Sequence, residues 1–127
     1  MDFINPSTIT APASNYSQGI VVPAGGRRLV ISGQIGMTKD GKVVDGMEAQ
    51  LRLTWDNLLE VLKAGGMAHT DLVKVTTFVT DRSAVGLVRT IRDEYMKGHR
   101  PASTFLAVAG LAMPELLCEI EAEAVKA

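Results

Sequence analysis

Apolar positions in this chain follow two periods. Between Gly46 and Ala64, the residues Leu51, Trp55, Leu58 and Leu62 return after four, three and four residues, which puts them on one face of a helix. Asp45 and Glu48 supply an Asp-x-x-Glu capping pattern before it, and Gly65-Gly66 ends it. A second helix is expected from about Ser83, with Val85, Val88, Ile91 and Tyr95 as its apolar face; Gly98 closes it and Pro101 prevents a restart. Other stretches alternate with period two. "DLVKVTTFVTD" (71–81) and "LLCEIEAEAV" (116–125) read as strands, as do "GIVV" (19–22), "RRLVISGQIG" (27–36) and "STFLAVAG" (103–110). A short extra strand is expected near Met1 to Asn5, and residues 5–18, rich in Ser, Thr, Asn and Pro, read as an ordered loop.

The resulting order, β-β-α-β-α-β-β, predicts an α+β fold with both helices packed on one face of a sheet. Several strands carry apolar residues on both faces, and 127 residues leave no third layer for the second face. A partner subunit is therefore expected to cover it. No repeat or linker divides the chain, so a single domain over 1–127 is expected.

In the last strand, Glu119, Glu121 and Glu123 stand at every second position. Side chains alternate across a strand, so the three carboxylates share a face with Leu117 and Val125, while Cys118, Ile120, Ala122 and Ala124 share the other. Such a row is either a solvated face or the site of one working carboxylate, held beside an apolar pocket where it can hold or deprotonate a water. Gly33, inside a strand, predicts a bulge or a close approach of another group to the backbone.

Composition removes several classes of function. The chain is 46% hydrophobic and 21% charged, with a formal net charge of −1, and shows no basic stripe of the kind nucleic-acid binding uses. No nucleic-acid partner is expected. No apolar run reaches the roughly 18 residues of a membrane span. The opening "MDFINPSTIT" lacks a basic segment followed by an apolar one, so a soluble, cytoplasmic protein is expected. One cysteine excludes an internal disulfide, and Cys118, facing away from the Glu row, reads as a buried small hydrophobe rather than a nucleophile. His69 and His99 have no Cys or carboxylate at ligand spacing, so no metal site is expected. "GGRRLVISG" does not have the order of a phosphate loop.

Six segments then coincide in order and spacing with a known pattern: "NYSQGI" (15–20), "VISGQIG" (30–36), "NLLEVLKAGG" (57–66), "DLVKVTTFVTD" (71–81), "RPAST" (100–104) and "CEIEAEAV" (118–125). Across nearly its whole length the chain resembles the RidA/YjgF family, once labelled translation inhibitors or endoribonucleases. The resemblance implies a chorismate-mutase-like α+β fold with a mixed sheet. It also implies a homotrimer with ligand clefts between neighbouring subunits, and hydrolysis of reactive enamines and imines to carbonyl compounds and ammonia without a cofactor.

Carried over residue by residue, the resemblance makes Tyr16 a cleft-lining residue and brings the backbone of Ser32 and Gly33 close to the ligand. Glu119 becomes the residue that positions the attacking water, and Glu121 matches the second Glu of the motif. Glu123 departs, because an apolar residue is usual there, and reads as plain surface. The main departure is Ser103, where deaminase members carry an Arg that grips the substrate carboxylate; a hydroxyl does not replace a bidentate guanidinium. Phe105 stands where a Cys is common and makes the pocket more apolar. Arg89, at an Asn position of the second helix, reads either as an exposed helix charge or as a replacement cation, and Arg100 is a further candidate. Two functions follow: an enamine/imine deaminase with altered substrate preference, or a non-catalytic small-molecule binder or regulator on the same trimer.

Overall fold

The computed structural model describes residues 1–127. Its elements are β1 (Asp2–Ile4), β2 (Gly19–Val21), β3 (Arg27–Gln34), α1 (Met47–Ala64), β4 (Leu72–Val79), α2 (Val85–Met96), β5 (Ala102–Ala107) and β6 (Cys118–Lys126). The short strand expected at the start of the chain is β1, which pairs with β2 in a small antiparallel ribbon. The remaining four strands form one mixed sheet in the order β3-β6-β4-β5, with β4 and β5 parallel and the other pairs antiparallel. The parallel pair needs a crossover, and α2 provides it. The expected α+β architecture is the observed one.

Both helices cover one face of this sheet. The periodic face of α1 is sealed: Leu51, Trp55, Leu58 and Leu62 are fully buried against Ile31, Val75, Cys118, Ile120 and Ala122 from the strands. Trp55 also stacks on Tyr95 of α2, with ring centroids 5.9 Å apart and planes 18° from parallel. Burial of an indole and three leucines is the main cohesive force of this layer.

Three local expectations need correction. The residue that starts α1 is Gly46, at φ 90°, and no side chain caps it. Asp45 thus stands one position too early for its capping pattern to form, and Glu48 instead pairs with Arg52 one turn on. The chain enters α2 through a tight turn over Arg82–Ala84, anchored by Asp81, whose carboxylate accepts from the Ser83 N–H. The face of α2 also differs. Val88, Ile91, Arg92 and Met96 are buried, whereas Tyr95 is half-buried and Val85 sits at the edge.

The opposite face of the sheet is bare. Glu119, Glu121 and Glu123 lie on it, paired across from Phe78, Thr76 and Lys74 of β4. Val30, 65% exposed, and Leu106, 44% exposed, stand among these polar groups. No helix of the chain is long and apolar enough to cross a membrane.

Candidate functional site

The predicted site residues separate into two groups. Tyr16, Arg89, Ser103 and Phe105 line one cleft of about 150 Å³, together with Ser14, Thr77, Val85, Val88 and Arg92. Sheet register explains why β5 contributes as it does. Ser103 pairs with Val75 and Phe105 with Thr77, and both partners point to the helix-covered face. Because β5 is an edge strand, its helix-side residues meet α2 at a rim, and the cleft opens there.

The loop carrying Tyr16 is stitched over this rim. Ser17 donates its N–H to Pro101 O at 3.2 Å and its hydroxyl to Arg100 O at 2.6 Å. Asn15 Nδ2 donates to Asp93 Oδ2 at 3.0 Å, and Ser14 Oγ accepts from Arg92 Nη2 at 3.3 Å. Two tethers to α2 and two to the start of β5 thus fix the phenol between them. Arg89 is exposed at the mouth and makes no hydrogen bond within the chain. Arg100 does not enter this cleft; it borders a separate depression with Asn15 and His99.

The second group lies on the bare face. β3 and β6 lose register between Ile31 and Gln34, so Ser32 and Gly33 form the irregularity expected from a strand glycine. The group that approaches is the Glu119 side chain. A Cβ at Gly33 would stand 2.6 Å from Glu119 Cδ and 2.9 Å from its Cγ, inside contact distance. Glycine here leaves the volume in which that carboxylate rests. Glu119 is half-buried and has no hydrogen-bond partner in the chain. Glu123, read from the sequence as plain surface, is instead half-buried and accepts from Arg28 at 2.8 Å.

Glu119 and the cleft therefore sit on opposite faces of one sheet. A single chain does not bring Tyr16, Arg89, Ser103 and Phe105 together with Ser32, Gly33 and Glu119. Cys118 points into the core beside Thr54, at 3.7 Å, and burial pushes its thiol up to about 11. It stays a neutral packing group, as the strand alternation implied.

A profile described as Endoribonuclease L-PSP matches residues 8–126. The chain is a member of the RidA/YjgF family. Among its relatives is the rat 2-iminobutanoate/2-iminopropanoate deaminase, 39% identical over 94% of this chain and 88% of its own length. The protein of that name from Escherichia coli K12 is 33% identical over 94% of this chain and 95% of its own. A solved Rid-family structure of unknown function, YyfB from Yersinia pestis, superposes with a TM-score of 0.88 at 32% identity, covering 98% of both chains. The fold expected from the resemblance is thereby established.

Two residues of this RidA-family chain escaped the sequence reading. Gln50 is buried on α1 and bridges three backbones: Nε2 donates to Val44 O and Glu115 O, and Oε1 accepts from Leu117 N at 2.8 Å. The last contact fixes the chain just before β6, two residues from Glu119. Arg92 is only 5% exposed yet lines the cleft. Its available signal was spacing: on a helix, Arg92 stands three residues after Arg89 and so on the same side.

Proposed function

We propose that this protein hydrolyses reactive enamines and imines to carbonyl compounds and ammonia, without a cofactor, at sites shared between the subunits of a homotrimer. The observation that carries the reading is the Glu119 carboxylate, seated over Gly33 and free of internal partners, on a sheet face that no element of the chain covers. A neighbouring subunit packed on that face would bring its helix-side cleft toward Glu119 and complete the set of site residues. The names of the relatives support the same chemistry.

In this mechanism an enamine tautomerises to the imine. Glu119 accepts a hydrogen bond from a water and orients its oxygen toward the imine carbon. Attack forms the C–O bond while the C=N pair moves to nitrogen; Glu119 takes the proton that the water loses and hands it to that nitrogen. The resulting carbinolamine passes its hydroxyl proton to nitrogen as the C–N bond breaks, which releases ammonia and forms the carbonyl. Imines hydrolyse unaided, so the protein supplies placement and one proton transfer, a modest demand. Tyr16, the Ser32–Gly33 backbone and Phe105 position the ligand.

The altered preference concerns how the acid group is held, because Ser103 offers no cation on the β5 wall. The expected outcome for Glu119→Ala is loss of accelerated ammonia release from imines generated in situ, with the trimer intact by light scattering. Undiminished turnover in that variant excludes the mechanism. Ser103→Arg should raise activity toward 2-iminobutanoate and 2-iminopropanoate. Should the wild type release no ammonia from any imine yet be stabilised thermally by small ligands, the same Ser103 supports the binder reading instead. Ribonuclease chemistry is not part of this proposal: neither His69 nor His99 lines the cleft.

A further inference from the structure

The cleft contains a cation that neither the family pattern nor the sequence reading assigned. We infer that Arg92 is the anion-holding group of this site, with Arg89 assisting at its mouth, so that the ligand's acidic group lies against α2 rather than against β5. The inference deepens the proposed imine hydrolysis and rests on that reading for the identity of the cleft.

Three observations carry it. First, Arg92 is a nearly buried guanidinium that is only partly used. Nε donates to Asp93 Oδ1 at 3.2 Å, and Nη2 donates to the same oxygen at 3.1 Å and to Ser14 Oγ at 3.3 Å. Nη1 donates to nothing in the chain, yet no buried side-chain nitrogen or oxygen lacks a partner. Nη1 is therefore not sealed in the protein, and the surface Arg92 lines is the cleft. A guanidinium has five N–H donors; Asp93 and Ser14 take the three on Nε and Nη2, which leaves the two on Nη1 for an incoming oxyanion.

Second, the cleft is electrically one-sided. Arg89 and Arg92 both line it, and no carboxylate of the same chain does; in the proposed assembly Glu119 enters from a neighbouring subunit, on the side of the attacking water. Residues three apart on a helix are neighbours, with Cβ atoms about 5–6 Å apart. One anionic group can therefore interact with both cations. Asp93 offsets part of the Arg92 charge but lies outside the cleft, where Asn15 also binds it. Third, the opposite wall is compatible with this polarity. Ser103 and Thr77 present hydroxyls that make no internal hydrogen bond, and Phe105 gives apolar surface for the remainder of a small molecule. The ligand class is a compact anion with an apolar body, a 2-imino or 2-oxo acid.

The test separates ligand binding by Arg92 from its tether to Ser14. Turnover of 2-iminobutanoate is compared with that of an uncharged aldimine released by an amine oxidase, and binding of 2-oxobutanoate is measured by calorimetry. Arg92→Gln should lower kcat/KM for 2-iminobutanoate roughly 10- to 100-fold, mainly through KM, and weaken 2-oxobutanoate binding to a similar degree, with the neutral aldimine near its wild-type rate. Arg89→Gln, at an exposed position, should shift the same ratio in the same direction by less. Ser14→Ala breaks the tether but spares the cation, so it should move both substrates alike. If Arg92→Gln does not fold, Arg92→Lys carries the same test, since one nitrogen held by Asp93 leaves no second nitrogen for the ligand. Equal losses on charged and neutral imines, or 2-oxobutanoate binding that is absent in the wild type or unchanged in the variant, overturn the inference. A wild type that binds 2-oxobutanoate through Arg92 but hydrolyses no imine overturns the proposed reaction and leaves the anion site standing.

Discussion

The two faces of the four-stranded sheet come from the same residues read alternately, yet they have different fates. One face is closed by the chain's own helices, with Trp55, Leu51 and Ile120 sealed from solvent. The other mixes Glu119, Glu121 and Glu123 with Val30 and Leu106 and meets no element of the chain. A face that is purely solvated has little use for exposed Val and Leu, and a face that is purely structural has little use for a carboxylate row. The combination is the one expected under the proposed assembly, in which a second copy covers this face and Glu119 completes its site. The comparison also explains why the site residues separate as they do: the covered face ends in the cleft at β5, while the bare face carries Glu119.

The largest effect expected from breaking this contrast is on the covered face. Trp55→Ala removes a fully buried indole and its stack on Tyr95, and should cost about 3–5 kcal/mol of unfolding free energy in a denaturant titration. Val30→Asp puts a charge on the bare face instead. It should leave the subunit fold intact by circular dichroism but weaken assembly by about 100-fold or more in a concentration series followed by light scattering. Unchanged assembly would show that the bare face is not the contact.

A finer probe is Gly33→Ala. The new methyl group would displace the Glu119 carboxylate, and a shift of roughly 1 Å can cost about 100-fold in turnover while stability changes little. The smallest effect lies at the edge of the covered face, at His69. Burial, with help from the neighbouring His99 and Lys97, holds its imidazole below the usual value of 6.5. The folded state therefore binds this proton less readily than the unfolded chain. Its contribution to stability is complete above about pH 6.5 and is lost as pH falls through the depressed folded value. The melting temperature should decline across that range, and His69→Gln should decline less.

Much of this architecture was legible in the sequence. Leu51, Trp55, Leu58 and Leu62 kept a helical period, and β4 and β6 kept a strand period, because burial on one face leaves that trace. Gly33 was legible as a close approach, although what approaches it, Glu119, comes from a distant strand. Asp45 misled because capping depends on one residue's dihedrals, and Gly46 took the entry position instead. Arg92 was hidden for a different reason. A charged residue on a helix reads as solvent-facing, and only the loop around Tyr16, folded over α2, turns that position inward. The separation of the site across two faces was likewise beyond periodicity, since it follows from the parallel pairing of β5 beside β4.

The seat of Glu119 over Gly33 makes these two positions a single unit of change. A side chain gained at 33 takes the space of the carboxylate at 119, so the two substitutions are expected to be strongly non-additive. Under the proposed reaction, Gly33→Ala is expected to cost turnover while Glu119 is present and little once that residue is already Ala. A side chain at 33 therefore meets little obstruction only once the side chain at 119 has been shortened.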